Sequence, residues 1–146
     1  MTNGTHRAEV RRIVLALGLL LATGCAGHVA RQDLLAQIES GTPPPIVDVR
    51  SQGEYDTSHV PGAVHIPFYS LLAQREQIPA PAQAGQPVVL YCEHGPRAGL
   101  ARAQLWLAGV GPVAFMEGHM IAWKRDGLPV QTGPGSAPPQ GDATLR

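Results

Sequence analysis

Four consecutive apolar residues, Val88-Val89-Leu90-Tyr91, run without polar alternation between a proline-rich connector and a short polar segment. A strand with one face in water alternates apolar and polar residues. One that is apolar on both faces belongs in the middle of a parallel sheet, with helices covering both sides. The remainder of the chain must then provide parallel neighbours and the crossover helices that join them.

Such elements are legible on both sides of that run. Leu34, Leu35 and Ile38 fall at helical spacing within Ala30 to Ser40, and Gly41 with Pro43 to Pro45 ends that helix. Ile46 to Val49 reads as a β-branched strand, followed by Arg50-Ser51 and a polar helical turn through Glu54 and Tyr55. Ala63 to Ile66 is a second strand, punctuated by Pro61-Gly62 before it and Pro67 after it. Phe68 to Glu76 is expected to be helical, and residues 79 to 87 form the connector. Beyond the central run, Arg97 to Val110 is a helix, Val113 to Met116 a strand and His119 to Arg125 a short last helix. Strand and helix alternate throughout, which predicts an α/β domain with a mainly parallel sheet. Residues 131–146 are rich in Gly, Pro and Ser and are expected to be a disordered tail.

A chain of 146 residues, 44% hydrophobic, suffices for one compact domain. Eleven basic residues balance eleven acidic ones with no basic cluster in the body of the chain, which argues against nucleic-acid binding. The first residues are different. Arg7, Arg11 and Arg12 precede the apolar run Ile13 to Gly24, about a dozen residues, which fits an export signal and falls short of the roughly 20 needed to span a bilayer. The run ends at Ala22-Thr23-Gly24-Cys25, which resembles the lipobox of bacterial lipoproteins. That resemblance implies a signal peptide of residues 1–24 removed before Cys25, and acyl chains on Cys25. The protein would then be exported and anchored to a lipid bilayer, facing the periplasm or the cell exterior. An ordinary cleaved signal and an uncleaved short anchor are the alternatives. If Cys25 is acylated, Cys92 is the single free thiol and no internal disulfide can form.

Cys92 lies where the central strand gives way to a helix, in the segment Cys92-Glu93-His94-Gly95-Pro96-Arg97. Ligands of open parallel sheets bind at the carboxyl ends of the strands. Amide N–H groups curling through such a loop, with a helix N-terminus behind them, concentrate positive potential there and favour the thiolate, the nucleophilic form of cysteine. Arg97 could hold an anionic donor. Gly95 permits a tight turn, and Pro96 suits the first helical turn but removes one N–H from the cradle. Glu93 adds a negative charge near the sulfur, and His94 could donate to a bound anion or simply be exposed. No metal site is suggested, because no cysteine and histidine spacing fits zinc. No cofactor is implied either.

These residues, with their surroundings, are similar to the rhodanese domain, the sulfurtransferase module. Ile46 to Arg50 with Glu54-Tyr55, then His59 to Ala63 with His65-Ile66-Pro67, resembles the first block of that family. Val88 to Arg97, Gly109, Glu117-Gly118, Trp123 and Gly127 resemble the second, so the resemblance covers about residues 29–130. It implies a five-stranded parallel sheet flanked by helices, with Cys92 taking up a sulfane sulfur as a persulfide from a small donor and passing it to a thiol or to cyanide. Arg97, Glu93, His94, Gly95 and Pro96 would line the substrate site. Asp48, Arg50 and Glu54 would support it, Arg50 and Glu54 as an ion pair. His59 and His65 read as hydrogen-bonded structural residues, and Tyr55 and Trp123 as packing. The departures from the family pattern are Pro96 and, where a second glycine is common, His119. A binding or persulfide-carrying module without turnover remains an alternative. A thiolate phosphatase or arsenate reductase is disfavoured, because four residues separate Cys92 from Arg97 whereas the related phosphatases use five.

Overall fold

The computed structural model describes residues 27–134, so the expected signal peptide, Cys25 and positions 135–146 lie outside the described residues. Five strands form one parallel sheet: β1 (His28–Val29), β2 (Ile46–Asp48), β3 (Val64–His65), β4 (Val88–Tyr91) and β5 (Val113–Met116). Their spatial order is β1-β5-β4-β2-β3, with β4 in the middle, and each neighbouring pair is parallel. The α/β architecture expected from the sequence is therefore present, with one strand, β1, that no pattern signalled. Two residues are too few to show a period.

Helices α1 (Arg31–Glu39), α2 (Gln52–Thr57) and α3 (Pro96–Leu107) carry the chain back between strands, and α4 (His119–Arg125) follows β5. All four β4 residues are buried, and they alternate between two cores. Val88, Leu90 and Cys92 point to the side where Ala98, Ala101 and Leu105 of α3 pack, together with Ile66 and Leu71. Val89 and Tyr91 point to the other side, against Leu34 of α1 and Met120 and Trp123 of α4. This is the double burial that the apolar run demanded. Trp123 is fully buried, with its indole N–H donating to the Pro129 carbonyl at 2.8 Å. Among the described residues no helix is long and apolar enough to cross a membrane.

The structure corrects two expectations. Phe68 to Glu76 is not a helix: it closes in successive turns, Ser70 N–H to Pro67 carbonyl and Gln74 N–H to Ser70 carbonyl, and ends in a 3₁₀ turn at Arg75–Gln77. Only Leu71 there is fully buried, while Tyr69 and Leu72 are exposed. One anchor cannot hold a helix face against a core, and helical stability in proteins comes mainly from such packing. The second correction concerns the tail, whose first residue is ordered. Gln131 exchanges two backbone hydrogen bonds with His59, each 2.9 Å.

Candidate active site

Cys92 continues the line of Val88 and Leu90 and is only 1% exposed, at the carboxyl end of the central strand. The chain then turns through Glu93 and His94 to Gly95 and enters α3 at Pro96. Gly95 donates its N–H to Cys92 Sγ at 3.0 Å, so the sulfur sits inside the turn. Glycine is required there on two counts. Its φ of 123° disfavours a side chain, and a Cβ would lie 3.1 Å from His119 Nε2. Pro96 begins α3, where the missing N–H costs no helical bond.

The floor of the loop comes from the start of α4. Met120 and Ile121 donate their amides to the carbonyls of Cys92 and Glu93, at 3.0 and 3.2 Å. Cys92 N–H in turn donates to His119 Nδ1 at 3.4 Å. That bond makes Nδ1 an acceptor and assigns the proton of the neutral ring to Nε2, on the Gly95 side. Burial, with His28 and His94 nearby, lowers the pKa of His119 below the ordinary histidine value, which keeps the ring neutral. His119 has φ 54° and follows Gly118 at φ 66°, a left-handed pair that explains why glycine suits these positions. From the sequence His119 stood out only as a departure from a family glycine. Nothing in its spacing pointed to the Cys92 amide.

An ionic frame surrounds this loop. Residues 48 and 50 share a face of the extended chain, so Arg50 folds onto Asp48: Nε and Nη2 donate to the carboxylate at 2.7 to 3.0 Å, and the backbone N–H of Arg50 adds a bond at 2.9 Å. Both side chains are buried. Arg50 also donates to the Ser58 carbonyl at 2.6 Å and to Glu93 at 2.9 Å, and its guanidinium lies 5.6 Å from the Tyr91 ring centroid. Burial opposes its charge, but Asp48 and Glu93 more than offset this and raise its pKa. The expected Arg50–Glu54 ion pair is therefore absent. Glu54 sits at the third position of α2, forms a reciprocal capping box with Ser51, and faces the loop instead of the buried arginine. There it takes Arg97 in a two-pronged bond, 2.6 and 2.7 Å. The Arg97 guanidinium holds the Glu54 carboxyl far below the usual range, so the pair stays ionised down to strongly acidic pH.

Glu93 does not stand as a free charge beside the sulfur. Its carboxylate is shared between Arg50 and Lys124, the latter at 2.7 Å, so its charge is compensated within the frame. His94 is exposed. A cleft of about 360 Å³ lies beside the loop, lined by Arg50, Glu54, Ser58, Glu93 and Lys124 among others. His59 and His65 are structural, as expected: His59 Nδ1 bonds the Tyr55 carbonyl at 2.8 Å and His65 Nε2 the Arg50 carbonyl at 2.9 Å. Among the described hydrogen bonds none joins an imidazole or a carboxylate to Cys92 Sγ. The site thus offers a sulfur nucleophile held by an amide and a helix N-terminus, without an adjacent general base. A sulfur so placed depends on those dipoles, rather than on a partner base, to hold it as the thiolate that displacement needs.

The His119 contact carries a pH dependence. An unfolded histidine titrates near about 6.5. The folded ring releases its proton at lower pH, so between the two values the unfolded chain binds more protons and stability rises with pH. Acidification from pH 7.5 to 5.5 will lower the urea midpoint. His119→Asn tolerates the left-handed backbone and can still accept from the Cys92 amide, and will show a smaller fall. An equal fall in both proteins would remove His119 from this account.

Comparison with known proteins agrees with the geometry. Residues 30–126 match the family described as a rhodanese-like domain. An uncharacterised Synechocystis protein is 37% identical over 84 residues, 58% of this chain and 45% of that protein, so the chain spans less than half of that relative. A sulfurtransferase from Allochromatium vinosum is 34% identical over 85 residues, 58% of this chain and 76% of that one. The solution structure of a rhodanese-like domain from Anabaena superposes with a TM-score of 0.60 at 24% identity, covering 82% of this chain and 89% of the other, and shows the same fold. With the five-stranded parallel sheet and the Cys92 loop in place, the chain belongs to the rhodanese-like domain family.

Proposed function

We propose that the protein is a sulfurtransferase that carries sulfane sulfur on Cys92. The observation that carries this reading is the 3.0 Å bond from Gly95 N–H to Cys92 Sγ, inside a loop whose four intervening residues leave a narrower ring of amides than a tetrahedral phosphate needs. The Cys92 thiolate attacks the outer sulfur of a thiosulfate-like donor. The donor S–S bond breaks, sulfite leaves with the electron pair, and Cys92 is left as a persulfide. An acceptor thiolate then attacks the terminal sulfur, taking it as a new persulfide and returning the Cys92 thiolate. Starting from the Cys92 thiolate, neither step transfers a proton. Treatment with thiosulfate should add one sulfur mass to the protein by mass spectrometry, and Cys92→Ser should abolish the gain. No mass increase with any sulfane donor would favour a binding module instead.

The ionic frame bears on donor choice. Arg97, the cation suited to an anionic donor, is bound by Glu54, and this favours a second reading in which the domain carries sulfur for a partner with little turnover on free thiosulfate. This half-buried pair, still screened by water, is worth on the order of 1 kcal/mol. Glu54→Gln should therefore lower KM for thiosulfate by up to about fivefold, with kcat little changed. An unchanged KM would leave Arg97 outside the donor site.

The export and anchoring reading is proposed as well, supported by Arg7, Arg11 and Arg12 ahead of the apolar run and by the lipobox-like Ala22 to Cys25. Labelling with radioactive palmitate in a bacterial host should mark the protein and should be lost in Cys25→Ser. Label retained in that variant would refute acylation at Cys25.

A further inference from the structure

The two ends of the sheet differ in character. The carboxyl end holds the Cys92 loop with its frame of Asp48, Arg50, Glu54, Glu93, Arg97 and Lys124. The amino end is formed by the stretches that lead directly into β2, β4 and β5, residues 40–45, 78–87 and 108–112, with exposed Glu39, Arg75 and Glu76 lying just before the first two. None of these residues is Asp, Glu, Lys, Arg or His, in a chain that is 15% charged. Two clefts open there, of about 490 and 520 Å³, and neither has an ionisable side chain in its lining. Prolines 43, 44, 45, 79 and 87 supply much of their walls.

Helix α3 joins the carboxyl end of β4 to the amino end of β5, so its last turn reaches this same end. Trp106 and Leu107 occupy that turn and are each 75% exposed. Gly99, Leu100 and Ala103 continue an exposed face up the helix, opposite the buried Ala98, Ala101 and Leu105, with Arg102 at its margin and its guanidinium over the Phe115 ring. Gly27 precedes β1 and accepts at 3.0 Å from the amide of Phe115, the third residue of β5. The residues ahead of it include the apolar run Ile13 to Gly24 and Cys25.

We propose that the amino end of the sheet, rimmed by Trp106 and Leu107, rests on the lipid bilayer to which the residues before Gly27 tether the domain, so that the Cys92 loop faces away from the membrane. This inference rests on the anchoring reading above. Removing charged groups from water against a bilayer is costly, and this end has none in its three connections. Tryptophan favours the interface between headgroup and hydrocarbon, where its ring is apolar and its N–H can stay hydrated. A tether raises the local concentration of the surface, so a small apolar contact suffices to orient the domain. A protein partner of comparable specificity would be expected to read charge or hydrogen-bonding pattern, which these connections do not offer through ionised groups.

The test uses the full chain on phosphatidylcholine vesicles containing brominated acyl chains, which quench tryptophan on contact. Trp106 should be quenched and Trp123, buried in the core, should not. Trp106→Phe should lose at least half of the quenching, and Leu107→Ser should reduce it, while the mass gain on Cys92 after thiosulfate is unchanged in both. Protein that pellets with the vesicles but shows no quenching of Trp106 overturns the docking and leaves the tether standing. Protein that stays in the supernatant overturns both. A concentration-dependent blue shift with dimer formation in the absence of lipid assigns the face to a second copy and also overturns the proposal.

Discussion

Arg50 is the side chain on which the carboxyl end of this fold depends. A guanidinium at 2% exposure is tolerable only if nearly every donor finds an acceptor. Its acceptors come from separate elements: Asp48 from β2, the Ser58 carbonyl from the end of α2, and Glu93 from the Cys92 loop. Its own carbonyl accepts from His65 of β3. One buried charge therefore forces β2, β3, α2 and the loop into a single arrangement. Removing one member of such a pair generally costs about 3–5 kcal/mol, because the other is left charged and unsolvated.

The same economy spreads outward through pairs. Lys124 shares Glu93 with Arg50, and Glu54 divides its carboxylate between the Ser51 cap and Arg97. Each cation near the loop has an anion assigned to it, so little uncompensated charge surrounds the sulfur. What acts on the sulfur at short range is the Gly95 amide and the start of α3. Such fixed dipoles are less affected by salt than an exposed ion pair would be.

Much of this was legible in the sequence, for reasons that differ by element. The four apolar residues of β4 fixed the parallel sheet, and the Pro and Gly punctuation around residues 41–46 and 61–67 located two further strands. Cys92 stood out by its position, between that strand and a helix opened by Pro96. The ionic partners did not, because charge pairing depends on which way side chains face: Arg50 and Glu54 are four apart in a stretch that is half extended and half helical, and helical spacing does not carry across the break. The turns after Phe68 were misread because apolar spacing cannot tell one anchored residue, Leu71, from a packed face. His119 was hidden for a third reason, since its role comes from meeting a backbone amide 27 positions away.

The near-complete burial of Cys92 has a consequence for the company its sulfur can keep. A disulfide to another protein requires the two Cα atoms to approach within about 7 Å. A thiol at 1% exposure, enclosed by Gly95 and α3, does not admit a second backbone that closely. Burial at the base of the loop thus sets the sulfur apart from cross-linking to a second chain.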